Sequence, residues 1–332
     1  MLAGTLPLVG ACISITADPR ALIYEPAGVR VQTLQCAAAA EAARSFERHP
    51  KVGRADAADP EALRVASWNI HKEDDLDWAN DLAHLARTND VVLLQEVSLL
   101  GTLQAILQDA GLQWILASSF IVDSADVGVL TATRRVPVAH CTQRAVEPIL
   151  RIPKSSVITW LPLAGRQQTL AIANVHAINF TLTLDAYHGQ LGALVTVLQD
   201  HRGPIVLAGD FNTWSEGRLA VLREAAARLQ LVETEYIDDA RTRFLGRQVD
   251  HVFVRGLEVV TASALPERET VMALVCDAER GILLEKRPPQ GIWGGLYSLP
   301  EFIDEPDCRS WIGAQFGVDG RSAERLAAVS HT

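Results

Sequence analysis

The stretch Pro204-Ile205-Val206-Leu207-Ala208-Gly209-Asp210-Phe211-Asn212-Thr213-Trp214 decides how the chain is read. Its four apolar residues, Ile205 to Ala208, read as a short strand buried on both faces. The run stops at Gly209, a residue that permits a tight turn and close backbone approach. Asp210 and Asn212 follow, and residues two apart on an extended chain project to the same side and can share one target. The segment from Arg218 to Leu229 then shows helical spacing. A buried strand that ends in polar groups and returns through a helix is a unit of a layered α/β domain.

The same unit recurs on both sides of this stretch. Apolar, β-rich runs cover Leu63 to Ile70, Val91 to Leu94, Ser156 to Leu161, Leu170 to Val175 and Val249 to Val254. Trp78 to Arg87, Leu99 to Ala110 and Leu184 to Asp200 have helical spacing and alternate with them. Upstream, an alanine-rich segment over 34–49 predicts a helix ending before His49-Pro50, and Lys51 to Pro60 reads as a linker. Near Ala264-Leu265-Pro266 the pattern restarts with a strand (Val271 to Cys276), a turn (Asp277 to Gly281) and a strand (Ile282 to Lys286). The expected domains are therefore 1–61, an apolar start, a helix and a linker; 62–264, a mixed α/β domain; and 265–332.

Composition bounds the function. At 332 residues, with 48% hydrophobic and 21% charged side chains, the chain reads as an ordinary globular protein rather than a disordered or collagenous one. Its net charge is −10, and residues 62–264 hold 17 basic against 22 acidic side chains. That balance argues against holding nucleic acid mainly by phosphate neutralisation and leaves metal-bridged recognition of phosphate open. Cys12, Cys36, Cys141, Cys276 and Cys308 are odd in number and contain no CxxC pair, so reduced or buried thiols are expected. Residues 2–15 are largely apolar but shorter than the ~20 residues of a membrane span. Leu8-Val9-Gly10-Ala11-Cys12 resembles a lipoprotein processing site, although no Lys or Arg precedes it. The expected location is the cytoplasm, with lipid anchoring in a bacterial envelope through Cys12 as the alternative.

Polar residues end the apolar runs: Trp68-Asn69-Ile70, Gln95-Glu96, Asn174-Val175-His176, Gly209-Asp210-Phe211-Asn212 and Val249-Asp250-His251. In this order the motifs resemble the endonuclease/exonuclease/phosphatase superfamily over residues 62–264. Glu147-Pro148-Ile149-Leu150-Arg151, Asn174 to Phe180 and Gly209 to Trp214 add a likeness to an uncharacterised bacterial subgroup. The resemblance implies a four-layered α/β sandwich with two facing sheets and a phosphoester hydrolase that uses Mg2+ or Mn2+. Glu96, with Asn69 nearby, suits a hard cation that prefers oxygen ligands and keeps several waters. Asp210 can orient or deprotonate water, Asn69, Asn212 and His176 can bind phosphate oxygens, and Asn212 and His176 can also donate to developing charge. By resemblance Asp250 orients a catalytic histidine. The expected partner is a phosphoester substrate, DNA among the candidates; no protein partner can be inferred.

The superfamily supplies that histidine from a late Ser-Asp-His motif, and this sequence contains none. His251 is a poor substitute, because neighbours on a strand face opposite ways. His71, on the strand side of Asn69, and His188 are the other histidines considered for the role. Beyond Ala264, Leu265 to Arg268 and Leu283 to Phe302 resemble the C-terminal, Nudix-like domain of adenine DNA glycosylase, which senses 8-oxoguanine. This implies a partial α+β segment. Gly295, Glu301 and Arg309 begin a Nudix signature, but Ser310-Trp311-Ile312-Gly313-Ala314 stand where its paired glutamates belong, so pyrophosphate hydrolysis is not expected. Three readings result: a phosphoesterase weakened by the missing histidine, a non-catalytic binder of oxidised DNA, or a fusion product without selected function.

Overall fold

The computed structural model describes residues 13–33, 35–49, 53, 56–73, 77–181 and 183–265. From there it describes 271–272, 276–277, 281–282, 285–286, 297–298, 300–302 and 305–316. The lipoprotein-like site at Cys12 and the Trp-Gly-Gly segment at 293–295 lie outside the described residues.

The elements run β1 (Ile13–Ser14), β2 (Arg20–Glu25), β3 (Gly28–Gln32), α1 (Cys36–Arg48), β4 (Val65–Asn69), α2 (Trp78–Thr88), β5 (Val91–Ser98), α3 (Gly101–Asp109), β6 (Gln113–Val122) and β7 (Ala125–Thr133). They continue with β8 (Ala139–Val146), β9 (Pro153–Pro162), β10 (Thr169–His176), α4 (Asp185–Leu198), β11 (Ile205–Asp210), α5 (Glu216–Arg228), β12 (Val232–Glu233), β13 (Arg243–Phe244), β14 (Arg247–Gln248) and β15 (Asp250–Arg255). One sheet has the order β3-β2-β6-β7-β5-β4 and the other β12-β15-β11-β10-β9-β8.

Alternation along the strands builds four layers. In β5, Val92 and Leu94 join Leu82 of α2 and Leu103 and Leu107 of α3 on one face, while Val91 and Leu93 face inward to Ile172 and Val206 of the second sheet. In β10 and β11, Ala171, Ala173 and Leu207 pack outward on Leu194 of α4 and Leu222 of α5. The order is helices, sheet, sheet, helices, an α/β sandwich as the motifs implied. These buried faces bring the apolar stripes of both sheets out of water, the largest favourable contribution to folding.

Nine of the strands β1 to β15 were not anticipated: the two-residue β1, β12, β13 and β14; β2 and β3, which lie in the segment read as an apolar start, helix and linker but join the first sheet beside β6; and β6, β7 and β8. β6 and β7 carry buried polar side chains, including Ser118, Ser119, Asp126, Thr131 and Thr133, so they lack a clean apolar signal, and β8 buries only Ala139 and Cys141. Asp126 accepts from Ser118 at 2.5 Å and forms an ion pair with Arg20, which satisfies the buried carboxylate. β6 and β7 are joined through Asp123 and Ser124, both at positive φ, without the Asn-Gly or Asp-Gly signature of such turns.

The cysteine expectation is corrected: Cys36 of α1 and Cys141 of β8 form a disulfide. Their separation of 105 residues hides the pairing from any local reading. Cys308 is free and buried. Closing a loop of about 100 residues constrains the unfolded chain, with a typical stabilisation of about 2–4 kcal/mol. Cys36→Ser is expected to lower stability by that amount in urea unfolding, and reductant should bring the parent protein to the same midpoint. An unchanged midpoint in both would remove the cross-link as a source of stability.

The chain divides into two compact units, and the described residues from 271 onward belong to the second. There, Cys276–Asp277 pairs with Gly281–Ile282, and Val271–Met272 pairs with Glu301–Phe302. A helix, α6 (Glu305–Phe316), places Trp311 between Phe302 and Phe316, with ring centroids 5.2 and 5.7 Å apart. No helix among the described residues is long and apolar enough to cross a membrane.

Candidate active site

The strand alternation that builds the core also builds the site. Leu170 and Ile172 face the layer between the sheets, so two and four residues later Asn174 and His176 face it as well. Val206 and Ala208 lead to Asp210 in the same way, Val65 leads to Asn69, and Val252 and Val254 share their face with Asp250. Register does the rest: His176 stands beside Asp210, Asp210 opposite Asp250, and Asn69 beside Gln95.

Glu96 breaks the alternation. Gln95 faces inward, so Glu96 would turn toward the helices, but the β5–β7 register shifts between Leu94 and Val97 and Glu96 takes φ 55°. This bulge re-aims its carboxylate, a common use of bulges beside functional sites. Below it, Gln95 Nε2 donates to Asn174 Oδ1 at 2.7 Å, and Asn174 Nδ2 donates to the Leu130 carbonyl at 2.9 Å. This buried clamp ties the strand of Glu96 to the strand of His176 across the two sheets.

Three side chains meet around His176 Nε2. Lys154 Nζ lies 2.8 Å away, Glu96 Oε1 3.5 Å and Asp210 Oδ2 3.6 Å. Lys154 Nζ is also 3.7 Å from Glu96 Oε1. An ammonium has only donors, so with Lys154 charged His176 Nε2 accepts and its ring proton sits on Nδ1. Both oxygens of Asp210 are held: Oδ2 accepts from Asn69 Nδ2 at 2.9 Å and Oδ1 from the Asn212 N–H at 2.9 Å. Burial pushes the Asp210 carboxyl above the usual range, opposed by the Asn212 N–H and the charge of Lys154.

The loops after His176 and Asp210 are fixed from beneath. Gln190 of α4 donates to the His176 carbonyl and accepts from the Ile178 N–H. Tyr187 donates to the Phe211 carbonyl at 2.9 Å. Arg218 of α5, fully buried, donates to the carbonyls of Asn212 and Ile178 and lies 4.1 Å over the Tyr187 ring. Burial pushes its guanidinium below the usual range. Asn212, at φ 50°, donates through Nδ2 to the Ala177 carbonyl.

The structure thus brings together Asn69, Glu96, His176, Asp210 and Asn212, with Asp250 in the ladder beside Asp210. It does not bring His251 or His188 there. His251 faces the outer layer, with Nδ1 2.7 Å from Glu233 and Nε2 2.7 Å from Thr213. His188 stands on α4, exposed and 3.8 Å from Glu224. His71 is exposed and donates its backbone N–H to Asn69 Oδ1 at 3.2 Å.

Lys154 was not found from the sequence. Its signal was a lone charge in Pro153-Lys154-Ser155-Ser156-Val157-Ile158, at the head of an otherwise buried strand.

Among the described residues no three His, Cys, Asp or Glu side chains form a metal cage. The carboxylates of Glu96 and Asp210 and the amide of Asn69 are a hard oxygen set. Such a set fits Mg2+ or Mn2+, which take one or two carboxylates and otherwise keep water.

Residues 270–332 match the NUDIX domain. A UPF0294 protein of Vibrio parahaemolyticus is 37% identical over 203 residues, covering 61% of this chain and 72% of that protein. Another, of Vibrio campbellii, is 38% identical over 205 residues with the same shares. Among solved structures, an endonuclease/exonuclease/phosphatase family protein of Leptotrichia buccalis matches with TM-score 0.46 at 19% identity, over 58% of this chain and 87% of that one. The human Nocturnin catalytic domain matches with TM-score 0.46 at 18% identity, over 65% and 86%. Residues 66–271, which carry every residue of the cluster around His176, match the Endonuclease/Exonuclease/phosphatase family, and the chain belongs to it.

Proposed function

We propose that this protein is a divalent-metal-dependent phosphoester hydrolase, a phosphodiesterase or nuclease, acting at the cluster around His176. The observation that carries the reading is the convergence of Glu96, Asp210, Asn69 and Lys154 on one point between the sheets. Glu96, with Asn69, would hold Mg2+ or Mn2+; when bound, the cation polarises a phosphate oxygen and offsets charge that develops in the reaction. Asp210, with both oxygens anchored and its proton affinity raised by burial, is placed to orient and deprotonate the attacking water. Lys154 supplies a donor and a positive charge for a phosphate oxygen, and His176 holds it by accepting from Nζ. Asn212 keeps a second amide hydrogen available beyond its bond to Ala177.

The reaction is expected to be slower than in relatives that carry Ser-Asp-His, because an acid/base group typically contributes about 10²- to 10⁴-fold. The disulfide favours an oxidising compartment, and hence the envelope alternative, over the cytoplasm. Purified protein should hydrolyse bis(p-nitrophenyl) phosphate in Mg2+ or Mn2+ and stop on chelation. A rate that does not respond to either cation would overturn the reading.

A further inference from the structure

Three loops at the catalytic end carry an unusual surface. The β8–β9 loop exposes Ile149 and Leu150, the β10–α4 loop exposes Phe180 and Leu184, and the β13–β14 tip exposes Phe244 and Leu245, each between 37 and 63%. Of the exposed Leu and Phe side chains described between residues 15 and 265, only Leu265 lies elsewhere.

These loops are held around the site. Buried Glu147 accepts from the Asn179 N–H at 2.8 Å, which ties the first loop to the second, just beyond His176. Trp214 Nε1 donates to Asn179 Oδ1 at 2.9 Å, which ties the second to the chain after Asn212. Thr213 donates to the Gln248 carbonyl at 2.6 Å, and Arg247 pairs with Glu216 at 2.9 Å, which ties in the third. The side chains at the tips point to water while their backbones are fixed, so the apolar area is a built feature of the rim.

The charges on the same loops run against the rest of the domain. Arg151 and Arg243 are exposed, while Arg247 is already paired with Glu216. The only acidic side chain within 147–151, 178–184 or 243–247 is the buried Glu147. Residues 62–264 as a whole are net acidic, with 17 basic against 22 acidic side chains.

We propose that this rim docks the catalytic end onto an anionic lipid surface, so that the site works on phosphoesters presented at a membrane–water interface. Apolar side chains flanked by arginines are the chemistry of interfacial binding, with burial in the acyl boundary and attraction to anionic headgroups adding together. The aliphatic character decides against single-stranded nucleic acid. Ile149, Leu150, Leu184 and Leu245 have no ring face on which a base could stack, and Phe180 and Phe244 alone make a sparse platform.

Docking rests on the proposed hydrolase reading only for its purpose, so binding is measured without turnover. The full chain is sedimented with vesicles of phosphatidylglycerol and phosphatidylcholine in equal parts, and with phosphatidylcholine alone. It should pellet with the anionic vesicles, and the double variant Phe244→Ser/Leu245→Ser should bind them about tenfold more weakly. That variant should keep the parent's thermal midpoint and its rate on soluble bis(p-nitrophenyl) phosphate. Arg243→Glu should erase the preference for anionic over neutral vesicles. No pelleting of the parent protein, undiminished binding by the double variant, or displacement of vesicles by a single-stranded oligonucleotide would each overturn the proposal. Failure of hydrolysis with binding intact would count against the hydrolase reading alone.

Discussion

Asp210→Asn is expected to slow Mg2+-stimulated phosphodiester hydrolysis by about 10²- to 10⁴-fold without unfolding the protein. The substitution keeps the shape and one acceptor oxygen, and removes the negative charge together with the acceptor for one of the two donors, Asn69 Nδ2 or the Asn212 N–H. The thermal midpoint should change little, because the lost hydrogen bond is offset by removal of a buried carboxylate whose ionisation is itself a cost to folding. Glu96→Gln should act alike on the rate, and it should also raise the Mg2+ concentration needed for half-maximal activity, because Glu96 is the metal ligand in this reading. Parent-like rates in both variants would place the chemistry elsewhere, and a collapse of the midpoint would show that the charges are structural.

Gly209→Ala should be among the most damaging single methyls in the domain. A Cβ at this position would lie 2.0 Å from the Val175 carbonyl oxygen, and Gly209 has φ +138°, a conformation that side chains rarely adopt. Backbone strain of about 1–3 kcal/mol and overpacking of about 1–3 kcal/mol add to roughly 2–6 kcal/mol. For a domain of this size each kcal/mol moves the midpoint by about 2–4 °C, so a loss on the order of 10 °C is expected in circular dichroism melts. Val175 and Gly209 are paired in the ladder that sets His176 beside Asp210, so relief of the clash also displaces the site. A midpoint within about 2 °C of the parent's would show that the strands part without cost.

The strands that carry the cluster were legible because each ends an apolar run in a polar residue. Leu170 to Val175 and Ile205 to Ala208 read correctly, and the structure adds Thr169 and His176 to the first and Gly209 and Asp210 to the second. What could not be read depends on contacts distant in sequence. β6 and β7 hide their strand character behind polar groups satisfied only by the fold, as Asp126 is by Ser118 and Arg20. Glu96 was legible as a residue but not as an inward one, because the bulge that turns it arises from pairing with β7. Lys154 acquires meaning only when β9 lies beside β10 and sets its ammonium against His176.

The disulfide also sets a timetable for synthesis. Cys36 must wait for Cys141, 105 residues later, and at about 5–20 residues per second this leaves its thiol open for roughly 5–20 s. Between the two cysteines lie Asn69 and Glu96, and after them come His176 and Asp210. The bond can therefore close before half of the catalytic cluster has been made. In that interval the nearest earlier cysteine is Cys12, so a chain that meets oxidant too soon can be trapped by a short wrong loop. Yield of active protein should thus depend on thiol–disulfide exchange during folding as much as on the stability of the finished fold.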